Sequence, residues 1–306
     1  MGGVTGGAEV RIKGEGVRPA EEDEEKVDQV ATGTSTIPTF PKTIHLSYST
    51  TSTSTPALPA GRGDQPQEYQ LLGLGVRTVS FLSIQVYVVG LYIATADIAT
   101  LQSRLVRRVA GTETASTLVP SEKEELRKML LDGDMSEELW DEVLREGGIR
   151  SVMRIVPTRN TDFAHLRDGW VRGITARSAA RANKPAFGAT TTDEVARESY
   201  KDVGFGRGLA TFKAVFAGAG RQGVPKGKVL MLERDASGVL SAWVEGKEGE
   251  GYVKMGEVAD ERIGRFVWLG YLAGKSVASE AARRSVVEGV MGFVERPVGT
   301  VETQVL

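Results

Sequence analysis

The stretch LGLGVRTVSFLSIQVYVVGLYIA, Leu72 to Ala94, decides the fold. No residue between Arg77 and Asp97 carries a formal charge, and the run approaches the roughly 20 residues that a membrane-spanning helix needs. Thr78, Ser80, Ser83 and Gln85 interrupt it, however, and valine, tyrosine and phenylalanine crowd it. Those types suit a pleated, half-buried surface. The stretch therefore reads as two successive strands that bend near Leu82 and Ser83. Alternation puts Arg77, Val79 and Phe81 on one face of the first, and Tyr87, Val89 and Leu91 on one face of the second. An arginine on an apolar face demands a partner, because an unpaired buried guanidinium costs about 3–5 kcal/mol. Two partners satisfy it: a structural Asp or Glu from elsewhere in the chain, or an anionic ligand. The guanidinium fork matches a carboxylate with two parallel hydrogen bonds, and a tyrosine hydroxyl can add another donor.

Composition narrows the function classes. With 306 residues, 41% hydrophobic and 25% charged, the chain has the balance of a soluble globular protein with a sizeable core. A net charge of −2 argues against a nucleic-acid partner, which calls for a basic face. Zero cysteines exclude disulfides, thiol catalysis and cysteine-held metals, while two histidines, His45 and His165, are few for a zinc site.

Residues 1–35 are rich in glycine and charge, with an acidic run from Glu21 to Glu25, and read as a disordered N-terminal segment. That segment is not the Arg-rich, acid-poor amphipathic pattern of a mitochondrial presequence. Residues 36–306 read as one domain, interrupted at 49–67 by a low-complexity surface loop, STTSTSTPALPAGRGDQPQ. In PSEKEELRKMLLDG, Ser121 and Glu124 form the spacing of a helix capping box, and MSEELWDEVLREGG is a second short helix. IRSVMRIVP is a strand with Val152, Arg154 and Val156 on one side. A long helix follows from about Thr161 to Ala180, then another that reaches to about Gly220 and breaks near Gly204. After it come three strands, the first two joined by a turn at Asp235–Gly238, and two closing helices. Strands grouped with strands and helices with helices indicate an α+β fold, an antiparallel sheet with a layer of helices on one face.

On the long helix Phe163, Leu166, Trp170 and Ile174 fall within about 80° of one another, one buried stripe. His165 lies roughly 160° from Phe163, beside Asp168 and Arg172 on the outer side. It reads either as a solvated or salt-bridged histidine or as a ligand to a metal such as haem iron; His45 reads as a strand-surface residue. GFGRGLA from Gly204 lacks the spacing of a phosphate-binding loop and follows helix rather than strand. No Gly-x-Ser-x-Gly elbow supports a hydrolase.

The opening stretch, with its Gly-x-Gly-x-Arg start and Val-Gly-x-Tyr finish, resembles the first hairpin of the chalcone-isomerase fold. The likeness extends over MRIVPTRNTDFAHLRDGWVRGI, the three-strand meander and the two closing helices. TGTSTIPTFPKTIHL and TRNTDFAHLRDG resemble the fungal mitochondrial branch, the altered inheritance of mitochondria proteins. This resemblance implies an open-faced β-sandwich, a mitochondrial location, and a pocket in which Arg77 is the retained catalytic arginine of the plant enzymes. It also places Tyr87 where those enzymes have threonine, and Phe163 and Trp170 approximately where they have tyrosine and asparagine. GRFVWLG offers neither Ser nor Thr at the matching place. With apolar bulk in place of polar partners, the resemblance implies a non-catalytic protein binding an apolar carboxylate through Arg77 and Tyr87. The candidates are haem, its porphyrin on Phe163 and Trp170 and His165 as axial ligand, and a fatty acid. The alternative it implies is an isomerase of the intramolecular lyase type, cyclising a chalcone-like enone.

Overall fold

The apolar run is a β-hairpin. The computed structural model describes residues 16–19, 28–48, 66–79, 83–111, 117–183, 198–217, 223–247 and 251–295. Strands β5 (Gln67–Val79) and β6 (Ile84–Ala94) pair antiparallel, with Arg77 opposite Tyr87, Gly75 opposite Val89 and Gly73 opposite Leu91. Ser83 stands in the turn with φ +51°, in the left-handed region, where the expected bend falls. Both faces of β6 are covered: Tyr87, Val89, Leu91 and Ile93 meet helices, and Val88, Tyr92 and Ala94 point into the curl of the sheet. Burial on two sides explains an apolar run without polar alternation. Among the described residues no helix is long and apolar enough to cross a membrane.

Around this hairpin the remaining strands are β1 (Gly16–Pro19), β4 (Thr43–Tyr48), β7 (Ser151–Pro157), β10 (Leu230–Arg234), β11 (Leu240–Glu245) and β12 (Tyr252–Val258). The order is β1-β12-β11-β10-β7-β6-β5-β4, antiparallel throughout. The expected class, an antiparallel sheet with helices along one face, is present, and the sheet curls until β1 pairs with both β12 and β4. Two short pairs stand apart from it, β2 (Gln29–Ala31) with β3 (Thr39–Pro41) and β8 (Thr161–Asp162) with β9 (Gly223–Val224).

The helices are α1 (Ile98–Ala110), α2 (Pro120–Leu131), α3 (Gly133–Arg145), α4 (Phe163–Ala182), α5 (Val203–Ala217), α6 (Glu261–Leu272) and α7 (Glu280–Val294). They cover the outer face of the sheet, forming the larger core with Leu72, Val89, Met153 and Leu232. Inside the curl a second core gathers Phe40, Tyr69, Tyr92, Val152, Val156 and Trp243, with Arg154 stacked 4.5 Å from the Phe40 ring centre.

Two expectations are corrected. Residues 1–35 read as disordered, yet β1 and β2 lie within them, Thr32 and Thr34 are buried, and the Thr34 hydroxyl donates to Gln85 Oε1 at 2.7 Å. Composition measures side-chain burial; β1 is held by backbone hydrogen bonds to two sheet edges, which need no apolar side chains. The α2 cap lies earlier than Ser121 and Glu124: the helix starts at Pro120, and the Glu122 carboxylate accepts the Val119 backbone N–H at 2.8 Å. The expected break near Gly204 is present: residues 198–199 are helical, 200–202 turn, and α5 starts afresh at Val203, with the Asp202 carboxylate accepting the Phe205 backbone N–H at 2.6 Å. The low-complexity loop lies outside the described residues apart from Pro66 and Gln67.

One contact aligns the helical layer. Helix α7 crosses β5 so closely that a Cβ on Gly73 would lie 2.3 Å from Val286 N, and one on Gly289 1.8 Å from Leu72 O. Gly75 is similarly tight, 2.2 Å from Ala282 N. Serines bond across the approach: Ser279 Oγ donates to Val76 O at 2.8 Å, and Ser285 Oγ accepts from Leu74 N at 3.0 Å. Replacing Gly289 with alanine forces these backbones apart. It should destabilise the protein by about 1–3 kcal/mol, the usual cost of overpacking, read as a lower midpoint in urea unfolding. A midpoint equal to wild type would show that the helix can shift freely on the strand.

Candidate ligand-binding site

The period-two alternation that puts Gly73 and Gly75 beneath α7 puts Arg77 on the same face, just before the start of that helix. There the outer face of the hairpin, α4, α6 and residues 276–278 enclose a cavity of about 380 Å³. Arg77, Val86, Tyr87, Trp170, Val267 and Tyr271 line it. Arg77 is half-buried, and its Nη1 donates to Ala278 O at 2.7 Å. Among the described residues no carboxylate pairs with it. The internal Asp or Glu that the sequence allowed as its partner is thus not found there, and a backbone carbonyl holds one corner of the guanidinium.

Beside the arginine lies a chain of polar groups in apolar surroundings. Tyr87 and Tyr271 hydroxyl oxygens are 2.7 Å apart, and Trp170 Nε1 donates to Tyr271 at 2.9 Å. Burial pushes the Tyr87 hydroxyl well above the usual phenol range, reinforced by Tyr271 and opposed by the charge of Arg77. Burial raises Tyr271 too, against the hydrogen bonds from Tyr87 and Trp170 and the Arg77 charge. Both therefore stay protonated at neutral pH.

Four of the five residues singled out from sequence come together here: Arg77, Tyr87, Trp170 and His165. Phe163 does not; it is buried in the core between helices and sheet and is not among the lining residues. His165 is exposed, as its helical phase requires, but that flank of α4 forms the rim of the cavity, so His165 and Arg172 both line it. Its backbone N–H is taken by the Asp162 carboxylate, which caps α4. His45 is a surface residue 3.6 Å from Glu68, far from this chemistry in the fold. Sequence reasoning missed Tyr271 by looking for Ser or Thr in GRFVWLG. The available signal was a lone tyrosine four residues after Val267 on an apolar helix, hence on the same face.

The helical walls are locked to one another by charge. Arg177 pairs with Glu137 at 3.2 Å and donates to Leu269 O at 3.1 Å and Ala273 O at 2.9 Å, tying α4 to α3 and to the end of α6. Asp141 of α3 is buried against Arg265 of α6, Arg145, and Arg181 of α4 at 2.8 Å. Burial alone would raise its carboxyl, but the three guanidinium groups override this and hold it below the ordinary aspartate value. Asp141→Asn removes the buried charge shared by Arg265 and Arg181, leaving each with a single carboxylate, and should cost about 3 kcal/mol at neutral pH, the lower end for breaking a buried pair. A depressed carboxyl stabilises above its unfolded pKa and loses that contribution as pH falls through the folded value. The gap between wild type and variant should accordingly shrink on acidification, in urea titrations from pH 7 to pH 3; a constant gap would refute the ionic origin.

A curled antiparallel sheet roofed by helices, with an arginine-lined cavity between the two layers, defines an α+β protein. The sequence profile described as chalcone isomerase like matches residues 67–287. Altered inheritance of mitochondria protein 18, mitochondrial, of Debaryomyces hansenii is 34% identical over 226 residues, covering 74% of this chain and 67% of the relative. Its Eremothecium gossypii counterpart is 32% identical with the same coverage. A crystal structure of an Arabidopsis thaliana fatty-acid binding protein is also similar, at 20% identity and a TM-score of 0.48, over 78% of this chain and 95% of that one. The chain belongs to the chalcone-isomerase-like family, in its fungal mitochondrial branch. Its location, like that of these relatives, is the mitochondrion.

Proposed function

We propose that this protein is a non-catalytic binding protein for an apolar molecule bearing a carboxylate, gripped by Arg77 and Tyr87. The observation that carries this reading is a guanidinium that opens onto an apolar-walled cavity with no carboxylate partner among the described residues. At about 380 Å³ the cavity has the size of a small-molecule site. A carboxylate there gains the charge-assisted bonds of Arg77 and a tyrosine hydroxyl, while its apolar body replaces water against Val86, Trp170 and Val267.

Fatty acids and haem both meet this description. Haem has a second observation in its favour, because the exposed His165 imidazole and the Arg172 guanidinium line the same cavity. The donor set fits: His165 would hold the iron, and Arg77 and Arg172 the propionates. Bound haem would supply redox or gas-binding chemistry at iron. The intramolecular lyase reading draws on Arg77 and a hydroxyl donor, which suit a developing enolate.

The test is a titration of the full chain with dodecanoic acid by calorimetry and with haemin by its Soret band. Arg77→Ala should weaken binding of the true ligand roughly tenfold to a hundredfold, the worth of hydrogen bonds to a charged group. Unchanged affinity would overturn the reading. His165→Ala should alter the Soret band and leave dodecanoate binding as it was. Cyclisation of 2′-hydroxychalcone should not exceed the spontaneous rate, and an Arg77-dependent acceleration would favour the lyase.

A further inference from the structure

The Trp170–Tyr271–Tyr87 chain carries more hydrogens than contacts. Three donors take part, the indole N–H and two phenol O–H groups, and they make two contacts. Indole can only donate, so its hydrogen is spent on Tyr271. Between the two tyrosines one hydroxyl donates and the other accepts, and the geometry allows either direction. Neither hydroxyl has a further partner among the described residues. One O–H hydrogen is therefore always left over. If Tyr87 donates to Tyr271, the spare hydrogen is on Tyr271; if Tyr271 donates, it is on Tyr87. Both residues line the cavity, and Tyr87 stands directly across the hairpin from Arg77.

We propose that Tyr87 and Tyr271 act as a single interchangeable hydroxyl donor, handing one O–H into the cavity beside Arg77 so that either tyrosine can complete the grip on an anionic oxygen. This rests on the binding reading given above and deepens it, adding Tyr271 to the site and making the donor a property of the pair. Exchange between the two arrangements needs only rotation of the hydroxyls. Raised phenol pKa values keep the spare hydrogen in place across the physiological range. Trp170 has a positioning role: by filling one acceptor direction of Tyr271 it leaves fewer ways for that hydroxyl to turn away.

The inventory predicts a specific non-additivity. Tyr87→Phe removes one hydroxyl, and Tyr271, still accepting from Trp170, keeps its own hydrogen for the ligand. Tyr271→Phe likewise leaves Tyr87 free to donate. Each single variant keeps one spare O–H, and only the double variant has none. With the full chain and dodecanoate as probe, each single variant should bind within about threefold of wild type. The double variant should lose roughly tenfold to a hundredfold. Equal, additive losses from the two singles, or a double variant that binds like wild type, would overturn the proposal. Melting curves check that the phenylalanine variants are folded. Should the double variant not fold, the singles still decide: each must retain the wild-type preference for dodecanoate over 1-dodecanol, and loss of that preference in either one sinks the idea. If wild type takes up no dodecanoate, this proposal falls together with the binding reading. If Arg77→Ala alone weakens binding, only the tyrosine pair is refuted.

Discussion

The backbone-to-backbone approach of α7 onto β5 is the constraint on which the rest of the structure depends. Glycines at 73 and 75 of the strand and 289 of the helix remove the side chains that would hold the two apart. Serines 279 and 285 then bond polar groups across the contact. Because strand residues alternate, a glycine pair facing the helix dictates that the next residue on that face, Arg77, meets the chain just before α7. That is where Ala278 offers its carbonyl. The packing notch and the cavity-lining arginine are two outcomes of one periodicity.

An arginine so placed, with no carboxylate partner among the described residues, is tolerable because it is only half-buried and one corner of its guanidinium is satisfied by a carbonyl. The fold does not require an anion there, but it leaves most of a bidentate fork facing a cavity. Two arginines of the helical walls are paired more fully. Arg265 is enclosed by Asp141 and Glu261, and Arg177 by Glu137 and two carbonyls. These pairs fasten α3, α4 and α6 into a fixed wall. A braced wall opposite a carbonyl-held arginine is the preorganisation that the proposed binding of an apolar carboxylate calls for.

The hairpin also shows why the longest apolar run in the chain is not a membrane span. Helices cover one face and the curled interior the other, so both sides of β6 are lined with apolar residues. Closure of the curl by β1 extends this logic to the N-terminus, where the side chains give little hint of order and the backbone supplies the pairing.

The sequence by itself determined the local geometry: the hairpin and its bend at Ser83, the arginine on the strand face beside the glycines, the inward phase of Trp170 and the outward phase of His165. Each follows from a period of two or 3.6 residues, which neighbouring atoms impose. Only the tertiary structure decided which faces meet. Tyr87 finds Tyr271 across 184 residues, Arg77 finds Ala278 across 201, and no local period encodes either encounter. The same limit explains His165 and Phe163. A helical wheel says which side of α4 each occupies, but packing determines that the outer flank borders the cavity while Phe163 is sealed in the core.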